Sequence, residues 1–394
     1  MKTLHQSPTD PDFVQNPYPF YELARSNGPF FYWHDYNLIC TTNATACNAI
    51  FRDRRFGREV PAGRPPQIPD HLRPFYAIES HSMLELEPPR HTRLRGLVLR
   101  AFTSRRIAAL QPEIAALTHQ LIDDFPDGPF DLLTHFAQRL PVILIARLLG
   151  VPEAMSDDLL RWSNAMVGMY MAGRTRDGED RAAAAARDFA DFLRGYIALR
   201  RADPADDLIT HLIAAEEAGE KLSTDELIST CVLLLNAGHE ATVHTIGNGV
   251  KTVLETGTPL TALEPGSVAA CIEEILRFDP ALHMFTRHVY EDVDIMGETF
   301  KRGDQVGLLL AAANRDPGIW DEAGQFIATR PAKPHVSFGA GLHFCVGAPL
   351  ARLELQVALP ILFQRHPNLH LAEPPHYANV YHFHGLTKLM VRSR

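Results

Sequence analysis

Apolar positions along the 394-residue chain recur mostly at helical spacing, and only short alternating stretches break that rhythm. Tyr18 to Arg25 reads as a short amphipathic helix, and PFFYWHDYNLICTT reads as a hairpin turning near Asp35. Residues 53–86, rich in proline, arginine and histidine, read as a long loop, and a loop of that length in a compact fold is usually functional. Pro88 and Pro89 then start a helix in EPPRHTRLRGLVLRAF. SRRIAALQPEIAALTHQLIDDF, FDLLTHFAQRLPVILIARLLGVP and two more helices to Arg201 continue the pattern. MVGMYM, from Met166 to Met171, is soft apolar packing that would also suit a substrate lid. The longest helix starts at Ser223, where Ser-Thr-Asp-Glu226 forms a capping box. It can run to about Thr256, near 50 Å at roughly 1.5 Å per residue. Beyond it, LHMFTRHV reads as a strand, ETFKRGDQVGLLLAAANRDP as a glycine-turned hairpin with a short helix, and the C-terminus as strand-like pieces.

Composition narrows the class. No linker, repeat or low-complexity block divides the chain, so residues 1–394 read as a single domain, with 46% hydrophobic residues to build its core. A net charge of −9 argues against broad nucleic-acid binding. MKTLHQSPTD has no apolar run of a signal peptide, and no uninterrupted apolar segment approaches the roughly 18 residues of a membrane span. The five scattered cysteines fit a reduced, cytoplasmic protein better than a disulfide framework.

The chemistry gathers around FGAGLHFCVG, Phe338 to Gly347. Gly339, Gly341 and Gly347 suit a tight turn with positive φ, and Pro349 suits the first turn of the helix that follows. Cys345 therefore sits beside a helix N-terminus, which favours a thiolate. The pattern Phe338-Gly339-x-Gly341-x-His343-x-Cys345-x-Gly347 resembles the haem-ligand signature of the cytochrome P450 family. That resemblance covers nearly the whole chain from Tyr18 onward. It implies a mainly α P450 fold, a large helical region with a smaller β region around a buried haem b, and Cys345 as the thiolate ligand of the iron. Phe338, Gly339, His343 and Gly347 fall in the cofactor-binding loop. His91 and Arg95, four residues apart on one helix face, match the helix that binds the haem propionates, and Arg287 matches a second propionate arginine. Arg93, Arg100, Arg105 and Arg106 would lie on the cysteine side, as a docking patch for an acidic electron donor.

LLLNAGHEATVH, residues 233–244, first suggests a zinc-protease helix. Its histidines, His239 and His244, are five apart, about 140° on the helix wheel, so that reading fails. The segment instead resembles the family's oxygen-activating helix, Ala-Gly-x-Asp/Glu-Thr, through Ala237, Gly238 and Glu240. Ala241 stands where the family's threonine should be, and Thr242 is turned about 100° away. Glu240, Ala241 and Thr242 are thus the catalytic candidates. Proton delivery could then come from a substrate hydroxyl, or from Thr242 or Thr245 through a distorted helix. Otherwise the enzyme performs oxidative coupling or uses peroxide.

Glu274 and Arg277 match the family's buried Glu-x-x-Arg brace, with Phe326 and Arg330 packing on it. Leu234, Ala237, Gly238, Met284, Phe285, Phe383 and His384 are pocket candidates, and His283 is expected to face the substrate as well. His382 and His384 would share a strand face, with no third metal ligand apparent. The expected activity is insertion of one oxygen atom into a small or medium apolar substrate, a secondary metabolite or terpene-like compound. Electrons would come from NAD(P)H through a reductase and a ferredoxin or flavodoxin, to a monomer with no membrane or nucleic-acid partner. A haem sensor or electron carrier is the non-catalytic alternative.

Overall fold

The computed structural model describes residues 1–393 apart from 62, 64–66, 172 and 218–219, with backbone alone at 216, 217 and 220. Helices dominate. The longest, Thr224–Glu255, begins at the capping box the sequence announces: the Ser223 hydroxyl accepts from the Glu226 N–H, and the Glu226 carboxylate accepts from the Ser223 N–H. It packs against Arg139–Leu149, Ser156–Val167, Arg176–Ala202 and Val268–Phe278. Being surrounded, it is apolar on most sides, and one large core cluster forms about it.

The smaller β region is a six-stranded sheet in the order Lys2–Leu4, Phe31–Trp33, Leu38–Thr41, Gln305–Leu309, Met284–Val289, Phe56–Gly57. The expected hairpin near Asp35 is present, with Phe31–Trp33 antiparallel to Leu38–Thr41 and Asn37 in the left-handed conformation at the turn. The later hairpin lies elsewhere than expected. Glu298–Phe300 pairs back with Val293–Ile295, because Met296 and Gly297 both take positive φ in a two-residue turn. Gln305–Leu309 instead joins Met284–Val289 and Leu38–Thr41 in the large sheet.

Two further readings change. The 53–86 stretch is not loop throughout. Arg73–Glu79 is a helix, opened by Pro74 and burying Phe75 and Ile78, three residues apart, on one face. The part of that stretch at 62 and 64–66 lies outside the described residues. Near the C-terminus, Tyr381 to His384 form a turn rather than a strand, closed by the Phe383 N–H on the Val380 carbonyl. His382 and His384 therefore do not share a strand face.

Candidate active site

The cysteine loop owes its path to two glycines. Gly339 (φ 66°) and Gly341 (φ 69°) are left-handed, and a side chain on Gly341 would strike the Phe51 carbonyl. Gly347 departs from expectation. Its φ is −79°, so no positive φ calls for glycine there; the nearest atom to a Cβ at that position would be the Cys345 Sγ. The helix Ala348–Arg365 starts immediately after, with Pro349 in its first turn.

The Cys345 Sγ is held by the N–H groups of Gly347 and Ala348, with Arg95 and Arg352 nearby. Burial nevertheless outweighs these and pushes the thiol pKa up. The N-terminal dipole alone does not deliver the thiolate that the sequence suggested. Cys345 is also exposed to a solvent-sized probe, as are its loop neighbours Leu342 and Phe344. Deep placement together with accessibility is what an internal cleft produces.

Beside the loop stand polar groups that lack anionic partners. His91, on the helix Arg90–Ala101, is 1% exposed, and its Nδ1 has no hydrogen-bond partner among the described residues. Its pKa falls to about 4, through burial first and then the charges of His343 and Arg95. Arg95, half-buried one turn on, donates to the Phe344 carbonyl at 2.7 Å. Arg287 is 4% exposed, lies 4.9 Å from the Phe51 ring centroid and donates to the Thr286 carbonyl. Burial, and then Arg58, lower its pKa to about 9. Neither Arg95 nor Arg287 forms an ion pair among the described residues. Buried cationic groups left in this state fit a ligand with an anionic edge. His343 is different, since its Nε2 is hydrogen-bonded to Glu87 at 2.9 Å.

The long helix carries an accessible stripe inside its buried length. Ala237 is exposed, and Gly238, Glu240, Ala241 and His244 are half-buried, whereas Leu234, Leu235 and Asn236 just before them are buried. A Cβ on Gly238 would meet only the Ile145 Cδ1, at 3.9 Å. The helix stays α-helical through this stretch. Both candidate hydroxyls are turned back on it, Thr242 to the Gly238 carbonyl at 2.8 Å and Thr245 to the Ala241 carbonyl at 2.7 Å. Glu240 pairs with His244 Nε2 at 3.1 Å. Burial raises the Glu240 pKa, but the bond and charge of His244 outweigh it and hold the group below the usual carboxylate range. His244 stands one helical turn from Glu240, a spacing that marks the pair in the sequence.

Behind the loop, Glu274 and Arg277 form the expected buried pair, with two bonds of 2.7 Å. Arg330 adds a bond at 3.1 Å, and Phe326 packs on Phe278. Arg277 also donates to the carbonyls of Asn314, Ala323 and Gln325. Glu273, which the sequence reading passed over, accepts from His335 ahead of the loop and from Arg352 beyond it.

Of the pocket candidates, Leu234 shares the long helix's face with Gly238 and Ala241, and Phe285 packs 3.7 Å from a Cβ position on Gly339. The Phe383 ring lies tilted against His244, 5.8 Å between ring centroids, so its turn docks one helical turn beyond Ala241. Met284 points the other way from Phe285, as strand alternation requires, into the cluster of Tyr21 and Trp33. His283 and His384 are buried against Tyr21 and Tyr377 rather than facing a pocket. Arg93, offered as a docking cation, is bonded to Glu226. A partly buried cluster the sequence did not suggest holds Tyr170 bonded to Glu79 at 2.8 Å and Arg58 bonded to Glu85. Its members are scattered along the chain, and no local spacing marks them.

Residues 267–373, which hold the Glu274–Arg277 brace and the cysteine loop, match the family model described as Cytochrome P450. The chain is 34% identical to the biotin biosynthesis cytochrome P450 of Bacillus subtilis over 99% of each chain. It is 35% identical to the polyketide biosynthesis cytochrome P450 PksS of Bacillus subtilis, covering 95% of this chain and 94% of that one. The crystal structure of P450BioI in complex with hexadec-9Z-enoic acid ligated acyl carrier protein superposes with a TM-score of 0.91 at 33% identity, over 98% of this chain and 99% of that one. With identity of this order sustained over whole chains and the brace, loop and long helix in place, the chain belongs to the cytochrome P450 family, a haem-thiolate monooxygenase whose axial ligand is Cys345.

Proposed function

We propose that this P450 inserts one atom of dioxygen into a small or medium apolar substrate of the secondary-metabolite or terpene-like class. Electrons pass to it from NAD(P)H through a reductase and a ferredoxin or flavodoxin. The observation that carries this reading is the accessible stripe Ala237–Gly238–Ala241 on an otherwise buried helix, small and apolar, with an acid at its edge. When bound, thiolate-ligated haem supplies the dioxygen chemistry.

The chain's own residues hold the cofactor and manage water and protons. His91 Nδ1, Arg95 and Arg287 bind the propionates, which accounts for a buried imidazole nitrogen with no partner and two arginines with no ion pair among the described residues. Phe338, Gly339 and Gly341 shape the loop, and His343 is oriented by Glu87. Leu234, Phe285 and Phe383 line the substrate side and exclude water. Glu240 is ionised and His244 Nε2 carries the proton between them. With the Thr242 and Thr245 hydroxyls committed to carbonyls, that pair supplies the proton, and a substrate hydroxyl beside Ala241 completes the path.

A second reading, in which the substrate is presented on a carrier protein, is supported by the likeness to a P450 solved with a carrier-ligated fatty acid. The test is an optical titration of the ferric protein with free apolar metabolites and with carrier-linked acyl chains, followed by turnover under labelled dioxygen. A shifted haem band and product bearing one labelled oxygen are expected. Product without label would replace oxygen insertion by coupling or peroxide chemistry, and a shift seen only with the carrier would select the second reading.

A further inference from the structure

Behind the wall that carries Phe285 and Phe383, three ligand-type side chains meet in the protein interior. Asp279 and His384 are each 4% exposed and His283 is fully buried. One potential ligand atom from each lies within 4.8 Å of the other two. His384 Nε2 is 3.6 Å from Asp279 Oδ1, too long for a hydrogen bond. That spacing is near the roughly 3.3 Å separating two ligands of one tetrahedral zinc with bonds of about 2.0–2.1 Å.

The surroundings present these atoms as ligands. Tyr21 Oη engages His283 Nδ1 at 2.9 Å, and His283 Nε2 is buried without a partner. Fixing one ring nitrogen and leaving the other is how outer groups orient a metal-binding histidine. The Tyr377 hydroxyl donates to Asp279 Oδ2, the Tyr18 hydroxyl donates to the adjacent Phe278 carbonyl at 3.0 Å and lies 3.4 Å from Asp279 Oδ1, and Asn248 ties the carbonyls of Asp279 and His384 together. The nearby cations are already engaged, Arg315 by the Phe278 carbonyl and the Tyr18 ring, Lys251 by Glu255. Without a metal, the buried His283 Nε2 is an unsatisfied polar atom, a costly state in a core.

We propose that Asp279, His283 and His384 bind a structural divalent metal, zinc by the chemistry of two imidazoles and a carboxylate, with a water in the fourth position. The metal ties together three segments that meet at the cleft wall: the end of the Glu274–Arg277 helix, the start of the strand bearing Phe285 and Arg287, and the C-terminal turn bearing Phe383.

The test uses the haem-loaded enzyme, exposed to zinc chloride, desalted and analysed for zinc and iron. One zinc per haem is expected in the wild type, with loss in Asp279→Asn and His384→Asn. It should be retained in His34→Ala, which breaks the exposed His5–His34–Asp35 cluster. Zinc absent from the wild type, kept in both interior variants, or lost through His34→Ala would overturn the site. Should the interior variants fail to take up haem, zinc-edge X-ray absorption of His34→Ala, which leaves one imidazole in the exposed cluster, decides: two imidazoles support the assignment, and fewer overturn it.

Discussion

Ala241 puts a methyl group where the family pattern has a threonine hydroxyl, and the proposed proton path has to run without that hydroxyl. Thr242 and Thr245 spend their hydroxyls on the carbonyls one turn back, so neither stands in without breaking a bond of about 1 kcal/mol net. Glu240 and His244, hydrogen-bonded on the same accessible stretch of the helix, are the proposed source of the proton. Replacing His244 by glutamine removes the proton and preserves a hydrogen-bonding side chain. Turnover should fall by about 100-fold or more, the usual scale for losing a general acid, while substrate affinity from optical titration stays near wild type. The fraction of NADH electrons recovered as peroxide should rise. In Ala241→Thr that fraction should also change, since a hydroxyl returns to the face. If neither variant moves it, protons reach the cleft by another route.

At the scale of elements, adjacent glutamates on Val268–Phe278 do different work. Glu274 is enclosed and shared by Arg277, Arg330 and the Ile327 N–H. Glu273 is partly open, and its pKa drops to about 2 because, although burial raises it, His335 and Arg352 outweigh that. Arg277→Met would leave the Glu274 charge short of its main partner and the Asn314 and Ala323 carbonyls without a donor. That loss should cost about 3–5 kcal/mol and abolish haem incorporation. Glu273→Gln keeps one of the two acceptor oxygens and lies where solvent screens charge, so about 1 kcal/mol is expected. Thermal unfolding of both variants checks the order, and equal losses would contradict the division of labour. These two residues also show what a sequence discloses. Glu274–Arg277 is legible because both partners sit on one helix in a recognised spacing. The partners of Glu273 lie 62 and 79 positions away, and only the folded chain pairs them. The same holds for His384, legible as half of a local histidine pair but brought by a turn to Asp279 and His283. Strand register failed for a related reason: a two-residue turn at Met296–Gly297 decided the hairpin, and glycine alone did not locate it.

For the whole molecule, burial of titratable groups sets the response to pH. Seven histidines have depressed pKa values, His91, His239, His283, His288, His343, His382 and His384, each with burial as the leading cause. Such a group is neutral when folded and takes a proton when unfolded below about pH 6.5. Its stabilising contribution is whole above that pH and is lost as pH falls toward the folded value, about 4 for His239 and His382. Glu79 works in the opposite sense. Burial first, then Glu85, raises its pKa to about 7, so its contribution is present below the unfolded value of 4.5 and is lost as pH rises through 7. The histidines outnumber it, and stability should therefore fall between pH 6.5 and 4.5. His239→Gln should flatten that fall by up to about 1.4 kcal/mol per pH unit, the most a single proton can contribute. Glu79→Gln should steepen it, because an uncharged side chain no longer gains from acid. Denaturant unfolding followed across this range reads both slopes. A profile that Glu79→Gln flattens would mean that Glu79 is ionised in the folded protein, and that Tyr170 and Arg58 hold it as a carboxylate rather than an acid.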